Sequence, residues 1–401
     1  MFVIRALEGN EKLSWTIRKN PETNLEKGPF KFKTRTGVYY GYYPLIGEGE
    51  VNVNEFRVEF KPDLGRSIQG EEEQFSINHI AHPITIKGGI DNLLRSAYKN
   101  SYEEDGPVEI EFYVFSFKGI ERIVTAFGLE VEDSHNFAYK IKQSFSTLYE
   151  ALNKVIAFSY IFVEKETNKS SINKAVGCCN AAGIDYYGRY LIGRNLGQSV
   201  LFSTDEIKFS GGHTHYQRRR AVSDLLRSIC SKEPGTTLID LGAGSLFNLD
   251  KINNLYNTVI AVDYEFSPKS YKKAEESNIE LVESSIKEFL LSNNPNLNNA
   301  DILLMEVLEH NTKAQSVEIL KRLIKSKVRN IIITVPNRDF NVNYSSLKGF
   351  RHADHLWEPN IKELEEVLQF TLSLGYSYEV RGIGDRVKAE YVSLMAILNR
   401  N

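Results

Sequence analysis

A series of short, almost unbroken apolar runs constrains the second half of this chain more than any other feature. "TTLIDLGAG", "NTVIAVDY", "IELVESS", "ADILLMEV" and "RNIIITVPN" succeed one another from residue 236 to residue 337, with helical segments such as "SVEILKRLIKS" between them. Strands that are apolar on both faces belong to parallel sheets covered by helices on either side. The spacing therefore predicts an α/β domain, and its ligands belong at the carboxyl ends of the strands.

The first half has a different pattern. "VNVNEFRVEF" and "VEIEFYVFSF" alternate, which sets Val108, Ile110, Phe112 and Val114 on one side of an extended chain. Turn-forming runs "IGEGE", "KPDLG" and "EEDGP" separate these stretches, so the region reads as mostly antiparallel sheet. From Asp133 or Ser134, as N-cap, a helix is expected through Phe137, Ile141, Phe145, Leu148, Leu152 and Val155. The tyrosines of "GVYYGYYP" read as sheet packing, with base stacking as the alternative. The glycine-rich stretch from Gly183 to Gly212 lacks a steady period, which places a linker near residue 195. The expected division is thus a β-rich α+β domain over 1–195 and the α/β domain over 196–401.

At 401 residues the chain has room for two cores, and a formal net charge of −3 neither demands nor excludes nucleic acid, which needs only a local basic patch. Three cysteines, two of them adjacent at Cys178 and Cys179, form no disulfide framework or zinc spacing. "MFVIRALEGNEKLSW" lacks the basic start and apolar core of a signal peptide, and "LNKVIAFSYIFVEKE" is too short to span a bilayer. A soluble, cytoplasmic protein is expected.

The first strand of the α/β half ends in Asp240-Leu241-Gly242-Ala243-Gly244, and the second ends in Asp263. Glycines there let a ligand approach the backbone, and a carboxylate about 20 residues further on suits ribose hydroxyls. No third glycine follows Gly244, which disfavours a dinucleotide. "ADILLMEV" leads into Glu306, Glu309 and His310; a helix or turn starting there puts i, i+3 and i+4 on one face. Two carboxylates and an imidazole suit a divalent cation. His352 and His355 of "FRHADH" lie in the loop after the next strand, near the same sheet edge.

"DLGAG" resembles the first motif of class I S-adenosylmethionine-dependent methyltransferases. Beyond it, Gln217-Arg218, "SSI", "EVLEH", "TVPNRDFN", "FRHADH" and a late "GIGD" occur in that order. From Gln217 to the C-terminus the chain resembles the HUA-enhancer family of RNA 3′-terminal ribose 2′-O-methyltransferases. The resemblance implies that Asp240, Gly242 and Gly244 serve the methionine end of S-adenosylmethionine, that Asp263 serves its ribose, and that Ser285 and Ile286 lie near its adenine. It implies one Mg²⁺ or Mn²⁺ held by Glu306, Glu309, His310 and His355, which are then also the catalytic residues. The substrate implied is RNA with a free 3′-terminal 2′,3′-diol.

Where the family carries an F-E-W-T-type stretch, this chain reads "LWEPN", and "GGHTHYQRRR" replaces the usual lead into the Gln-Arg pair. Gln217, Arg218, Arg338 and Arg351 are the expected RNA contacts, with Arg219, Arg220, Lys208 and Arg194 as a further phosphate lip or a solvated face. His213 and His215 read as solvated or phosphate-facing rather than as a second metal pair. No motif is assignable in residues 1–195; bacterial relatives carry an N-terminal region that works with an RNA end-healing and ligating partner, and a docking role is expected here by analogy. The rival functions are a metal-dependent O-methyltransferase of a small vicinal diol and a non-catalytic RNA-end-binding subunit.

Overall fold

The computed structural model describes all residues except 36, 48–49, 63–81, 102–104, 136–137, 164–167, 233–234, 250, 293 and 346. The turn-bearing runs "IGEGE", "KPDLG" and "EEDGP", and Phe137, fall wholly or partly outside the described residues. The chain forms two compact units, Met1–Phe202 with Tyr344–Ser346, and Ser203–Asn343 with Leu347–Asn401. Among the described residues no helix is long and apolar enough to cross a membrane.

The first unit is built on a wholly antiparallel sheet of β1 (Phe2–Ala6), β2 (Phe30–Lys33), β3 (Gly37–Tyr42), β4 (Glu55–Pro62), β5 (Val108–Phe115), β6 (Val131–His135) and β7 (Ala138–Phe145). Their order is β2-β3-β4-β1-β5-β7-β6. The alternation read from the sequence is realised in β5, where Val108, Ile110, Phe112 and Val114 are fully buried. On the other face Arg5 pairs with Glu55, Glu109 and Glu111. Tyr39 and Tyr43 of the aromatic run are buried, as sheet packing requires.

Two expectations change here. The helix expected from residue 133 starts only at Leu148, with Thr147 as N-cap accepting from the Glu150 amide at 3.1 Å. Val131–His135 and Ala138–Phe145 are β6 and β7 instead. The reason is arithmetic: residues four apart share a face in a strand as well as in a helix, and Ile141 and Phe145 lie opposite Phe112 and Val108 of β5. Likewise, Tyr186–Asn195 is a helix capped by Asp185, and the first unit runs on to Phe202. Its glycines serve close packing: a Cβ on Gly193 would meet the Ser199 Cα at 2.6 Å. Buried Arg189 ties this helix to the carbonyls of Cys179, Ile184 and Phe202.

The second unit contains β8 (Ile207–Lys208), β9 (Gly235–Leu241), β10 (Tyr256–Asp263), β11 (Glu280–Glu283), β12 (Asp301–Met305), β13 (Asn330–Pro336), β14 (Tyr376–Val387) and β15 (Glu390–Arg400). The sheet order is β11-β10-β9-β12-β13-β15-β14-β8. The first five strands of that order are parallel; β15, β14 and β8 run antiparallel to their neighbours. Ile239, Ile302 and Ile331 pack one face with Leu320 and Leu323 of helix Lys313–Lys325. Leu238, Leu303 and Ile332 pack the other with Val222 and Leu226 of helix Thr214–Lys232. This is the expected Rossmann-like class I methyltransferase arrangement, preceded by an α+β unit. The chain leaves β9 toward β10 on one side and later continues from β12 to β13 on the other. The crevice between β9 and β12 is therefore the switch point where such sheets bind ligands.

Candidate active site

Both sides of the switch point carry carboxylates that the fold buries. Asp240, in β9, is fully buried, and neither carboxylate oxygen has a donor at full hydrogen-bonding geometry among the described residues, the Asn248 side chain being its polar neighbour. Burial, reinforced by the charge of Asp263, pushes its carboxyl up to about 7. The chain then turns through Gly242, whose φ of +81° favours glycine and whose Cβ would lie 2.7 Å from Val307 Cγ2. The Gly244 amide donates to Asp263 Oδ2 at 2.6 Å and the Tyr264 amide to Oδ1 at 2.7 Å, so Asp263 holds the glycine turn against the end of β10. Ser285 caps helix Ile286–Leu291 in a reciprocal box with Glu288.

A cavity of about 560 Å³ opens at this edge. Gly242, Asp263, Ser285 and Ile286 line it together with Glu306 and His310. Of the expected cofactor residues it therefore joins four; Asp240 and Gly244 are not among its lining residues. The same space brings the cofactor side and the charged turn together.

At the end of β12 the backbone breaks sharply. Glu306 adopts φ +57°, a left-handed conformation costing a side-chain-bearing residue about 1–2 kcal/mol. Its amide donates to the Thr334 carbonyl at 2.9 Å. The next turn, Leu308–His310, is a single 3-10 turn rather than the start of a long helix. Glu306 is thus outside the helical face expected to unite the three residues. Its carboxylate is held by Arg218 at 3.1 Å and by the Thr334 hydroxyl at 3.1 Å.

Glu309, His310 and His355 do converge: one ligand atom from each lies within 4.8 Å of the others, and among the described residues this is the one such group. Glu309 is fully buried with both carboxylate oxygens unpartnered. Burial, then the nearby Glu306 charge, raises its carboxyl well above the ordinary range. An orphaned buried carboxylate is costly unless something positive meets it. The donor set of one carboxylate and two imidazoles, with Glu306 beside it, fits a divalent cation.

The histidines are oriented from behind. His355 Nδ1 lies 2.5 Å from Glu358 Oε1, and His310 Nδ1 lies 3.2 Å from Asp354 Oδ2. A carboxylate on Nδ1 fixes the tautomer that leaves Nε2 free to ligate. Glu358 is itself buried, accepting from the Arg351 amide at 2.7 Å and from Asn341 at 2.6 Å. Trp357 donates its indole N–H to the Leu308 carbonyl at 2.9 Å, and the Leu356 amide reaches the Glu309 carbonyl at 2.7 Å. "LWEPN", a departure in sequence, is therefore the brace of the cluster. Sequence reasoning missed Glu358 and Asp354; the H-x-x-E spacing of His355 and Glu358 was the available signal.

The expected RNA contacts need correction. Gln217 is buried, donating to Asp385 Oδ1 at 2.7 Å and accepting from the Asp385 amide at 3.0 Å, so it joins helix Thr214–Lys232 to β14. Gln217→Ala is expected to cost about 1–3 kcal/mol by removing two hydrogen bonds to Asp385, whose carboxylate keeps the Ser210 amide, read as a lower denaturation midpoint. Arg218 is buried against Glu306, His215 and Ser393. Arg351 spends its guanidinium on Asn341 Oδ1 and the Asn337 carbonyl. Arg219 is buried with its guanidinium 4.2 Å from the centre of the Phe247 ring. Arg338, paired with Glu363 at 2.8 Å, is the exposed member of the expected set, and Arg351 is half-buried. Burial, then Arg218, lowers the pKa of His215, which keeps that imidazole neutral.

The family model of the Hen1 N-terminal domain matches residues 4–205. A small RNA 2′-O-methyltransferase of Xenopus tropicalis is 28% identical over 107 residues, which is 25% of this chain and 29% of that protein. The chain thus spans well under a third of that relative's length. A chain of the solved Pnkp1/Rnl/Hen1 RNA repair complex superposes with a TM-score of 0.73 at 17% identity, covering 100% of both chains, and a second structure of that complex gives 0.71. At such identity the likeness is one of fold. The part of the chain in which no motif could be read is the part the family model matches, and with half of its length so matched, the chain belongs to the Hen1 family.

Proposed function

We propose that this protein transfers the methyl group of S-adenosylmethionine to the 2′-hydroxyl of the 3′-terminal nucleotide of RNA, with Mg²⁺ or Mn²⁺ at Glu306, Glu309, His310 and His355. The observation that carries this reading is the orphaned, buried carboxylate of Glu309 clustered with His310 and His355, where Glu306 and His310 also line the cavity reached by Asp263 and Ser285. Family membership and the small-RNA methyltransferase relative support RNA as substrate. The shared fold with a repair-complex chain supports an end-healing or ligating partner for the 1–202 unit.

In this reading Asp240 and the Gly242–Gly244 turn receive the methionine end of the cofactor, Asp263 its ribose, and Ser285 and Ile286 its adenine. Asp263 has lone pairs left after its two amide bonds, so it can accept from ribose hydroxyls while holding the turn. A divalent cation, when bound, supplies positive charge that favours the ionised form of a ribose hydroxyl. Arg218 and Thr334 aim Glu306, Glu358 and Asp354 aim the two imidazoles, and Trp357 fixes the turn that presents Glu309. Arg338 is the candidate for contact with the RNA.

Incubation with labelled S-adenosylmethionine and Mn²⁺ tests the reading: RNA ending in a 2′,3′-diol takes up label, whereas the same RNA ending in a 3′-phosphate does not. Equal labelling of both ends contradicts it. Glu358→Gln removes the carboxylate behind His355 and is expected to weaken metal affinity about 10–100-fold, read by titrating activity against Mn²⁺.

A further inference from the structure

We infer that the first unit carries a separate ligand site, a pocket for the phosphate of a nucleotide, between helices Pro83–Leu93 and Lys169–Ala181. The cavity measures about 740 Å³, the size of pockets that hold small organic ligands. Lys87, Arg95, Lys99 and Lys174 line it, against the carboxylate of Asp91 alone among its described lining residues. A chain with a formal net charge of −3 therefore concentrates positive charge at one concave place.

The arrangement is built rather than incidental. Asp91 bridges Lys87 Nζ, at 2.8 Å, and Lys174 Nζ, while each ammonium also lies over a tyrosine ring, Lys87 over Tyr160 at 5.0 Å and Lys174 over Tyr98 at 4.6 Å. Burial works against the charge of Lys87, but the Asp91 carboxylate, with Tyr160 and Tyr98, outweighs it and raises the pKa, so the ammonium stays charged. Each ammonium has three donors, and Asp91 does not exhaust them. Arg95 and Lys99 add exposed cations at the rim. Ser170 and Ser171, in the first turn of helix Lys169–Ala181, offer hydroxyls to the same space.

This chemistry selects the ligand class. Converging ammonium, guanidinium and hydroxyl donors suit phosphate oxygens, and the half-buried ring of Tyr149, which lines the same pocket, suits a base. Thiol chemistry is not the use of the pocket, because burial pushes Cys178 up to about 12 and keeps it protonated. The phosphate can come from a free nucleotide or from the 5′ end of an RNA; both present the same group. The site is independent of the methyl-transfer reading and stands or falls without it.

Calorimetric titration of the full chain with ATP, with a short 5′-phosphorylated RNA and with its 5′-hydroxyl counterpart tests the inference. ATP binding with no preference between the RNAs identifies the free nucleotide, and a preference for the 5′-phosphate identifies the RNA end. The double variant Arg95→Glu/Lys99→Glu is expected to weaken the phosphate-dependent binding about tenfold, as local charge falls. Unchanged affinity in a double variant with the wild-type unfolding transition overturns the inference. So does the absence of phosphate-dependent binding up to about 1 mM.

Discussion

Glu309→Gln is expected to lower methyl transfer about 1,000-fold or more, the effect of losing several kcal/mol of cation-dependent stabilisation at about 1.4 kcal/mol per factor of ten. The same change is expected to leave the metal-free protein as stable as wild type, or more stable. The reason is that Glu309 occupies a fully buried position with neither oxygen partnered, and a neutral amide is cheaper to bury than a carboxylate. Metal then separates the two proteins. At about 100 times its dissociation constant a cation adds roughly 2.7 kcal/mol to the wild type, a rise of about 5–10 °C in the Tm of a unit of this size. Glu309→Gln should show little of that rise in a thermal scan with and without Mn²⁺. A variant that keeps both the rise and the activity removes Glu309 from the site.

Asp240 gives the second large effect, and its sign follows from the direction of its pKa. The carboxyl ionises near 3.8 when exposed and at about 7 in the folded protein. The native state thus holds a proton that the unfolded state releases between those values. Its contribution is fully present below about 3.8 and is lost as pH rises through about 7. Without cofactor, stability should therefore fall across that window by an amount on the order of 4 kcal/mol. Glu309, raised in the same direction, steepens the fall. Asp240→Asn should flatten the profile, be more stable than wild type at pH 8, and lose cofactor binding. Denaturant titrations at several pH values read the first two, and calorimetry with S-adenosylmethionine reads the third. A variant whose profile keeps the wild-type slope contradicts the account of Asp240.

The two halves differed in legibility for physical reasons. Parallel strands buried on both faces leave continuous apolar runs, so β9, β10, β12 and β13 could be read directly, and their ends located Asp240, Asp263 and Glu306. The convergence of His355 on Glu309 and His310 came from family resemblance, because no local spacing links residues 45 and 46 positions apart. The left-handed turn at Glu306 left no mark, since the residue is not glycine. Arginines near a helix start look alike whether they face RNA or a carboxylate, and the Arg218–Glu306 pair is long-range. In the first half, Ile141 and Phe145 fit strand and helix spacing equally well. There the identity of the domain is spread over an antiparallel sheet rather than concentrated in a motif, and the family model detected it across residues 4–205.

Methyl transfer to one oxygen at one end of an RNA is the reaction proposed for the Glu309 cluster. Its most direct measurement is the position of the methyl group after reaction with S-adenosylmethionine and Mn²⁺, read by nuclease digestion and mass spectrometry of the 3′-terminal nucleoside, with a chelator-treated reaction alongside. The expected result is a 2′-O-methyl group on the terminal nucleoside, an end resistant to periodate, and no product in chelator. A methyl group on a base or an internal ribose, or product formed equally well in chelator, would contradict it.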